Sequence, residues 1–234
     1  MKEQDTGVKW FNTVFYPGKK TGRAVGYEDK ILPRLREQHV TLFTPWGPRY
    51  DWETRGSAIR EGDKEIEALD FLITIFQEWD RNMPDKNFQW IVLGADLYGT
   101  RINKLPSDAV AQYFVSLQER LTISAQILPR MTMMFRLWSE FDECAQEHRD
   151  YVRTRIDGML SCQLIHRAVL TAGAMQRGGD PMEYLVERIA EAMLIEKIFR
   201  PIKISCVGRH KDNEVDRDLP RLYFVPEALH SPWM

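Results

Sequence analysis

Phe88-Gln89-Trp90-Ile91-Val92-Leu93-Gly94-Ala95-Asp96 is the stretch on which the reading of the fold turns. Aromatic and β-branched side chains fill it from Phe88 to Leu93, and a glycine closes it. A run this short and this apolar, bounded by a breaker, reads as a buried strand rather than a helix. Asp96 then stands just past the carboxyl end of that strand.

Working outward, two more runs share the pattern. Val40-Thr41-Leu42-Phe43 ends at Thr44-Pro45, and Ile202-Lys203-Ile204-Ser205-Cys206-Val207 follows Pro201. Weaker strand candidates are Met131 to Trp138 and Leu222-Tyr223-Phe224-Val225. Between the strands lie helical patterns. Ile66, Leu69, Leu72, Ile73, Phe76 and Trp79 recur at three- and four-residue steps and share one helix face. Val110, Phe114, Leu117 and Leu121 do the same behind Ser107, a good N-cap residue. Asp180-Pro181-Met182-Glu183 has the form of a capping box and opens a helix that ends at Pro201. A further helical stretch is expected from Glu143 to Met175, broken near Gly158. Strand and helix in alternation predict an α/β fold: a single Rossmann-like domain over residues 1–234, with a mostly parallel sheet and helices on both faces. A small helical appendage has room around 139–180.

The 234 residues carry 32 basic and 34 acidic side chains, a formal charge of −2. A balance that near zero argues against binding nucleic acid by general phosphate neutralisation, which shows a basic excess. Cys144, Cys162 and Cys206 are odd in number and widely spaced, as in reduced thiols. The opening Met1-Lys2-Glu3-Gln4-Asp5 is polar, and no run approaches the ~18 apolar residues of a membrane helix. A cytoplasmic protein without membrane association is expected.

Ligands of open α/β sheets bind outside the carboxyl ends of the strands, and two loops of unusual composition fall there. In Thr44-Pro45-Trp46-Gly47-Pro48-Arg49-Tyr50-Asp51-Trp52, the prolines stiffen the backbone, Trp46 and the other aromatics could wall a pocket, and Arg49 suits a carboxylate or phosphate. The alternative is a rigid turn with its aromatics folded inward. In Gly94 to Lys104, Asp96 could orient an amine or act as a base, with Tyr98 in the same loop and Arg101 and Lys104 able to hold an anion. Here the alternative is that Asp96 caps the turn and the cations are solvated. A third cluster surrounds the strand at Ile202. Lys203 and Ser205 share one of its faces, and a buried lysine needs a carboxylate or ligand. His210 follows, either as an acid/base group or in a solvated turn.

Several chemistries lose weight. The histidines and cysteines show no paired metal spacing, so no metal site is expected. No Gly-x-Gly-x-x-Gly follows a strand, Gly18-Lys19-Lys20-Thr21 fails as a phosphate loop, and no nucleophile-elbow serine is present.

Val40 to Pro45, the helix from Glu65 to Trp79, the block from Ile91 through Asp96 to Tyr113, and Ile202-Lys203-Ile204-Ser205 with the closing Ser231-Pro232-Trp233 resemble the isonitrile (isocyanide) synthase family, the pyoverdine/dityrosine biosynthesis group. The likeness touches about two-thirds of the chain, as in a short, diverged member. It implies a metal-independent transferase or lyase of secondary metabolism, needing no cofactor, that condenses an amino acid amine with a ribulose phosphate. On that reading Arg49, Arg101 and Lys203 hold phosphate, Trp46, Tyr98 and Ser205 line the substrate site, and Asp96 and His210 are the acid/base groups. A downstream biosynthetic enzyme would be the partner. Two competing readings are an aminoacyl-tRNA-using transferase of cyclodipeptide-synthase type, with tRNA as partner, and a non-catalytic small-molecule-binding module.

Overall fold

A computed structural model describes residues 22–49, 51–159, 180–205 and 219–224. Its centre is a six-stranded sheet. In chain order the strands are β1 (Gly22–Val25), β2 (His39–Trp46), β3 (Asn87–Gly94), β4 (Met131–Leu137), β5 (Ile202–Ser205) and β6 (Arg221–Phe224). Across the sheet they run β1-β6-β5-β2-β3-β4. The five from β6 to β4 are parallel, and β1 pairs antiparallel with β6 at one edge. The expected α/β architecture and mostly parallel sheet are therefore present, and both weaker strand candidates are real strands.

The helices are α1 (Leu32–Arg36), α2 (Trp52–Arg55), α3 (Lys64–Asn82), α4 (Ser107–Ala125), α5 (Asp142–Arg153), α6 (Ile156–Met159) and α7 (Pro181–Phe199). Side-chain alternation along the strands assigns them to two faces. Val40, Leu42 and Trp46 of β2 and Phe88, Trp90 and Val92 of β3 pack with α3 and α4 through Leu72, Phe76, Tyr113 and Leu117. Phe43, Ile91 and Leu93 point the other way, onto Trp138, Phe141 and Ala145 around α5 and Ala192 and Ile195 of α7. The near-continuous apolar run of β3 is what a strand covered on both faces requires.

Local chemistry accounts for the element ends, with three corrections to the sequence reading. Asp180 caps α7, its carboxylate accepting from the amides of Met182 (2.8 Å) and Glu183 (3.3 Å). Glu183, expected to complete the box, instead pairs with Arg153 at 2.8 Å. At α4 the cap position belongs to Pro106, and Ser107 is already helical with no side-chain cap bond. The helix expected from Glu143 begins at Asp142 and breaks at Thr154-Arg155 rather than at Gly158. Residues 160–179 lie outside the described part, as does the closing Ser231-Pro232-Trp233. Among the described residues, no helix is long and apolar enough to cross a membrane.

Candidate functional site

The chain lays down β2, β3 and β4 outward in one direction, then returns to place β5 against the opposite side of β2. The winding thus reverses between β2 and β5, and the carboxyl ends of these strands define the crevice where such sheets take ligands. Strands β5, β2 and β3 lie side by side. What the trailing loops do differs from the sequence reading.

Arg49 is committed to partners inside the fold. It is 4% exposed, with Nε 3.0 Å from Glu65, Nη2 2.6 Å from Asp63 and Nη1 donating to the carbonyls of Gly56 and Ala58 at 3.1 Å each. Its guanidinium also lies over the Tyr113 ring at 5.7 Å. Five donors in a fixed fork leave little capacity after four such bonds. Arg55 joins the same carboxylates, at 2.8 Å from Asp63 and 3.4 Å from Glu65. Burial alone would raise the Asp63 pKa, but the Arg60 amide and the Arg55 and Arg49 guanidiniums outweigh it and hold it at about 2. Trp46 is likewise internal, donating from Nε1 to the Tyr113 hydroxyl at 2.8 Å within the α3/α4 core. The first loop is the rigid, inward-folded turn, and its arginine is a structural pin.

The second loop packs directly on the first. A Cβ placed on Gly99 would sit 2.9 Å from Pro48 Cγ and 3.0 Å from Val110 Cγ2. Only glycine permits this approach, which joins the ends of β2 and β3 through loop contact. Asp96 is half-buried, and its Oδ1 accepts from the Ser139 amide at 3.0 Å. That amide belongs to the short 3-10 helix Trp138–Phe141 after β4, so Asp96 caps that helix from a neighbouring strand end. Arg101 is surface-exposed and forms a two-pronged bond to Asp142, at 2.8 and 2.5 Å. This bond, helped by Arg149, holds the Asp142 carboxyl below its ordinary range.

Tyr98 is the member of this loop with chemistry to spare. It is 3% exposed, and its hydroxyl has no hydrogen-bond partner among the described residues. Burial pushes its pKa well above 10, reinforced by Glu191 and Glu187 and opposed by Arg188. The group therefore stays a neutral phenol that can donate and accept. Its ring meets Tyr184 edge-on at 5.8 Å. Tyr184, Glu187, Arg188 and Glu191 all lie on α7, so Tyr98 points into a polar seam between the β3 loop and that helix.

The seam has a rigid wall. Glu187 accepts from Trp138 Nε1 and from Arg149 at 2.7 and 2.6 Å, and Arg149 also reaches Asp142 at 2.8 Å. Glu191, 1% exposed, stands 3.6 Å from Arg188. Lys203 is 1% exposed, on the face of β5 opposite Ile202 and Ile204, in register with Phe43 of β2 and Arg221 of β6. It is buried as expected, toward the face that α7 covers. Ser205 ends β5, with only its backbone described, and His210 lies outside the described residues. Glu187, Glu191, Tyr184 and Arg149 were not found by sequence reasoning. A signal existed in Glu183, Glu187 and Glu191, acids recurring every four residues along one helix. Among the described residues, no group of three or more His, Cys, Asp or Glu is placed to hold a metal ion.

No family model and no curated protein matches the chain. Among solved structures, a cyclodipeptide synthase from Fluoribacter dumoffii is similar at 11% identity and TM-score 0.47, covering 88% of this chain and 99% of that one. One from Staphylococcus haemolyticus is similar at 8% identity and TM-score 0.49, covering 85% and 95%. A third, from Candidatus Glomeribacter gigasporarum and bound to Phe-tRNAPhe, is similar at 11% identity and TM-score 0.40, covering 81% and 89%. None of these is an isonitrile synthase, and no sequence match supports that family. The resemblance, its isocyanide chemistry and its ribulose phosphate are accordingly set aside. The geometry agrees, since two of the three cations assigned to phosphate, Arg49 and Arg101, are already neutralised by carboxylates.

Proposed function

We propose that the chain is a transferase acting on an aminoacyl group delivered by tRNA, the second of the three readings open to the sequence. The observation that carries the proposal is the Tyr98 seam. A buried neutral phenol beside the carboxylates of α7 suits an amine or ammonium, with carboxylate for charge and hydroxyl for direction. An aminoacyl ester presents such an amine next to its reactive carbonyl. In this reading the Tyr98 hydroxyl directs the amine, while the Glu187–Arg149–Trp138 wall keeps α7 in place. Asp96 orients the β4 end through the Ser139 amide. The formal charge of −2 leaves tRNA contact to a local surface, so binding should weaken steeply with salt.

One observation favours a second reading. Two of the loop residues first assigned to the site, Arg49 for binding and Asp96 as acid/base, are engaged in structural bonds, as in a module that holds an amino acid without transforming it. Incubating the purified chain with a pool of charged tRNAs, and following ester loss and peptide-bonded products by mass spectrometry, separates the two. Enzyme-dependent loss of aminoacyl ester with a dipeptide-type product is expected. Charged tRNA that survives unchanged, together with saturable amino acid binding, would support the module instead.

A further inference from the structure

The second edge of the sheet is β4, and among the described residues it lacks the protections usual for an exposed strand. No residue of β4 is fully buried, whereas β3 beside it is buried almost throughout. Its sequence, Met131-Thr132-Met133-Met134-Phe135-Arg136-Leu137, holds no proline, glycine or lysine. Its single charge, Arg136, is paired with Glu140 at 2.8 Å. A long, apolar, unblocked edge of this kind is a template for another strand.

The backbone limits which strand fits. Phe88 donates to the Arg130 carbonyl, and Phe88 is in register with Met131. In a parallel ladder this turns the even residues of β4 toward β3 and the amides and carbonyls of Met131, Met133, Phe135 and Leu137 outward. Two of those amides are satisfied internally: Met131 donates to the Leu128 carbonyl at 3.1 Å and Leu137 to Glu140 at 2.7 Å. Among the described residues, the open donors are left at Met133 and Phe135, symmetric about Met134.

The side chains carry the same symmetry. An antiparallel partner of identical sequence, centred on Met134, sets Met133 against Phe135, Met131 against Leu137 and Thr132 against Arg136. Apolar meets apolar, and the two Arg136 cations do not face one another. Met133 and Phe135 lie on the α3/α4 face and Met134 on the α5/α7 face, so Met–Phe contacts form on one side and a Met134–Met134 contact on the dyad. We propose that two copies of this chain associate through β4, in an antiparallel, two-fold pairing centred on Met134 that joins their sheets into one.

Light scattering and sedimentation of the full chain over a wide concentration range test the association, and should show a mass rising to twice that of the chain. Met133→Pro removes only an outward amide, leaving the bonds to β3 in place, and should weaken the dimer about tenfold or more. Met134→Lys, which opposes two ammonium groups on the dyad, should do the same with a folded circular dichroism spectrum. The register is read by Met134→Cys, which should form a disulfide-linked dimer under mild oxidation, while Thr132→Cys should not. A chain that stays monomeric at high concentration overturns the proposal. So does a dimer that neither Met133→Pro nor Met134→Lys weakens, or one that the Met134→Cys variant fails to cross-link. These outcomes are independent of tRNA chemistry.

Discussion

Two side chains show how burial divides residues of similar promise. Tyr98 and Arg49 stand at adjacent strand ends, and they are only 3% and 4% exposed. Arg49 has its donors matched by Glu65, Asp63 and two carbonyls, whereas the Tyr98 hydroxyl has no partner among the described residues. A buried, unmet polar group costs stability, and its removal without loss of shape is close to neutral or favourable. Tyr98→Phe is therefore expected to retain or slightly raise the melting temperature. Amino acid or aminoacyl affinity should fall about tenfold, the loss of one hydrogen bond of ordinary strength; unchanged affinity would remove Tyr98 from the site. Arg49→Met should do the reverse. It leaves Glu65, which is 2% exposed, with only the longer 3.4 Å contact to Arg55 among the described residues, and breaking a buried pair in this way costs up to about 3–5 kcal/mol, measurable by denaturant unfolding.

At the scale of elements, the loops after β2 and β3 act as one unit because Gly99 admits Pro48. Gly99→Ala must separate them, with its new methyl 2.9 Å from Pro48 Cγ. An overpacking cost of roughly 1–3 kcal/mol is expected, with weaker ligand binding as Tyr98 shifts; full stability would mean that the loops move apart freely. The start of α7 offers a milder test. Asp180→Ala deletes the bonds to Met182 and Glu183 and should cost about 1 kcal/mol in thermal unfolding. Glu183→Ala loses only the exposed pair with Arg153 and should cost well under that. The elements themselves were legible in the sequence, from the 3.6-residue recurrence in α3 to the Asp-Pro start of α7. The partner of Glu183 was not, because Arg153 lies on another helix.

Across the whole molecule, acid sensitivity follows from carboxylates held ionised by arginines. The Asp63 pKa falls from 3.8 to about 2 on folding, and that of Asp142 is also lowered. A depressed carboxyl stabilises the fold fully above its unfolded pKa, and the contribution is lost as pH drops toward the folded value. Stability should therefore decline between about pH 4 and 2, and Asp63→Asn should flatten part of that slope in melts taken across the range. An equal slope in the variant would exclude Asp63 as a source. The strand order matters at this scale too. By reversing between β2 and β5 it assembles the seam from the β3 loop, α5 and α7, segments well separated along the chain.

By itself the sequence determined the layered α/β architecture, the strands and the principal helices, because each follows from the local spacing of apolar side chains that must leave water. It also marked the strand ends at Trp46 and Asp96 as places to look. The tertiary structure alone decided which polar groups there are committed. Whether an arginine is a ligand hook or a buried pin depends on carboxylates brought close by folding. Arg49 meets Glu65, and Asp96 meets the Ser139 amide 43 residues away, a pairing that no local pattern encodes.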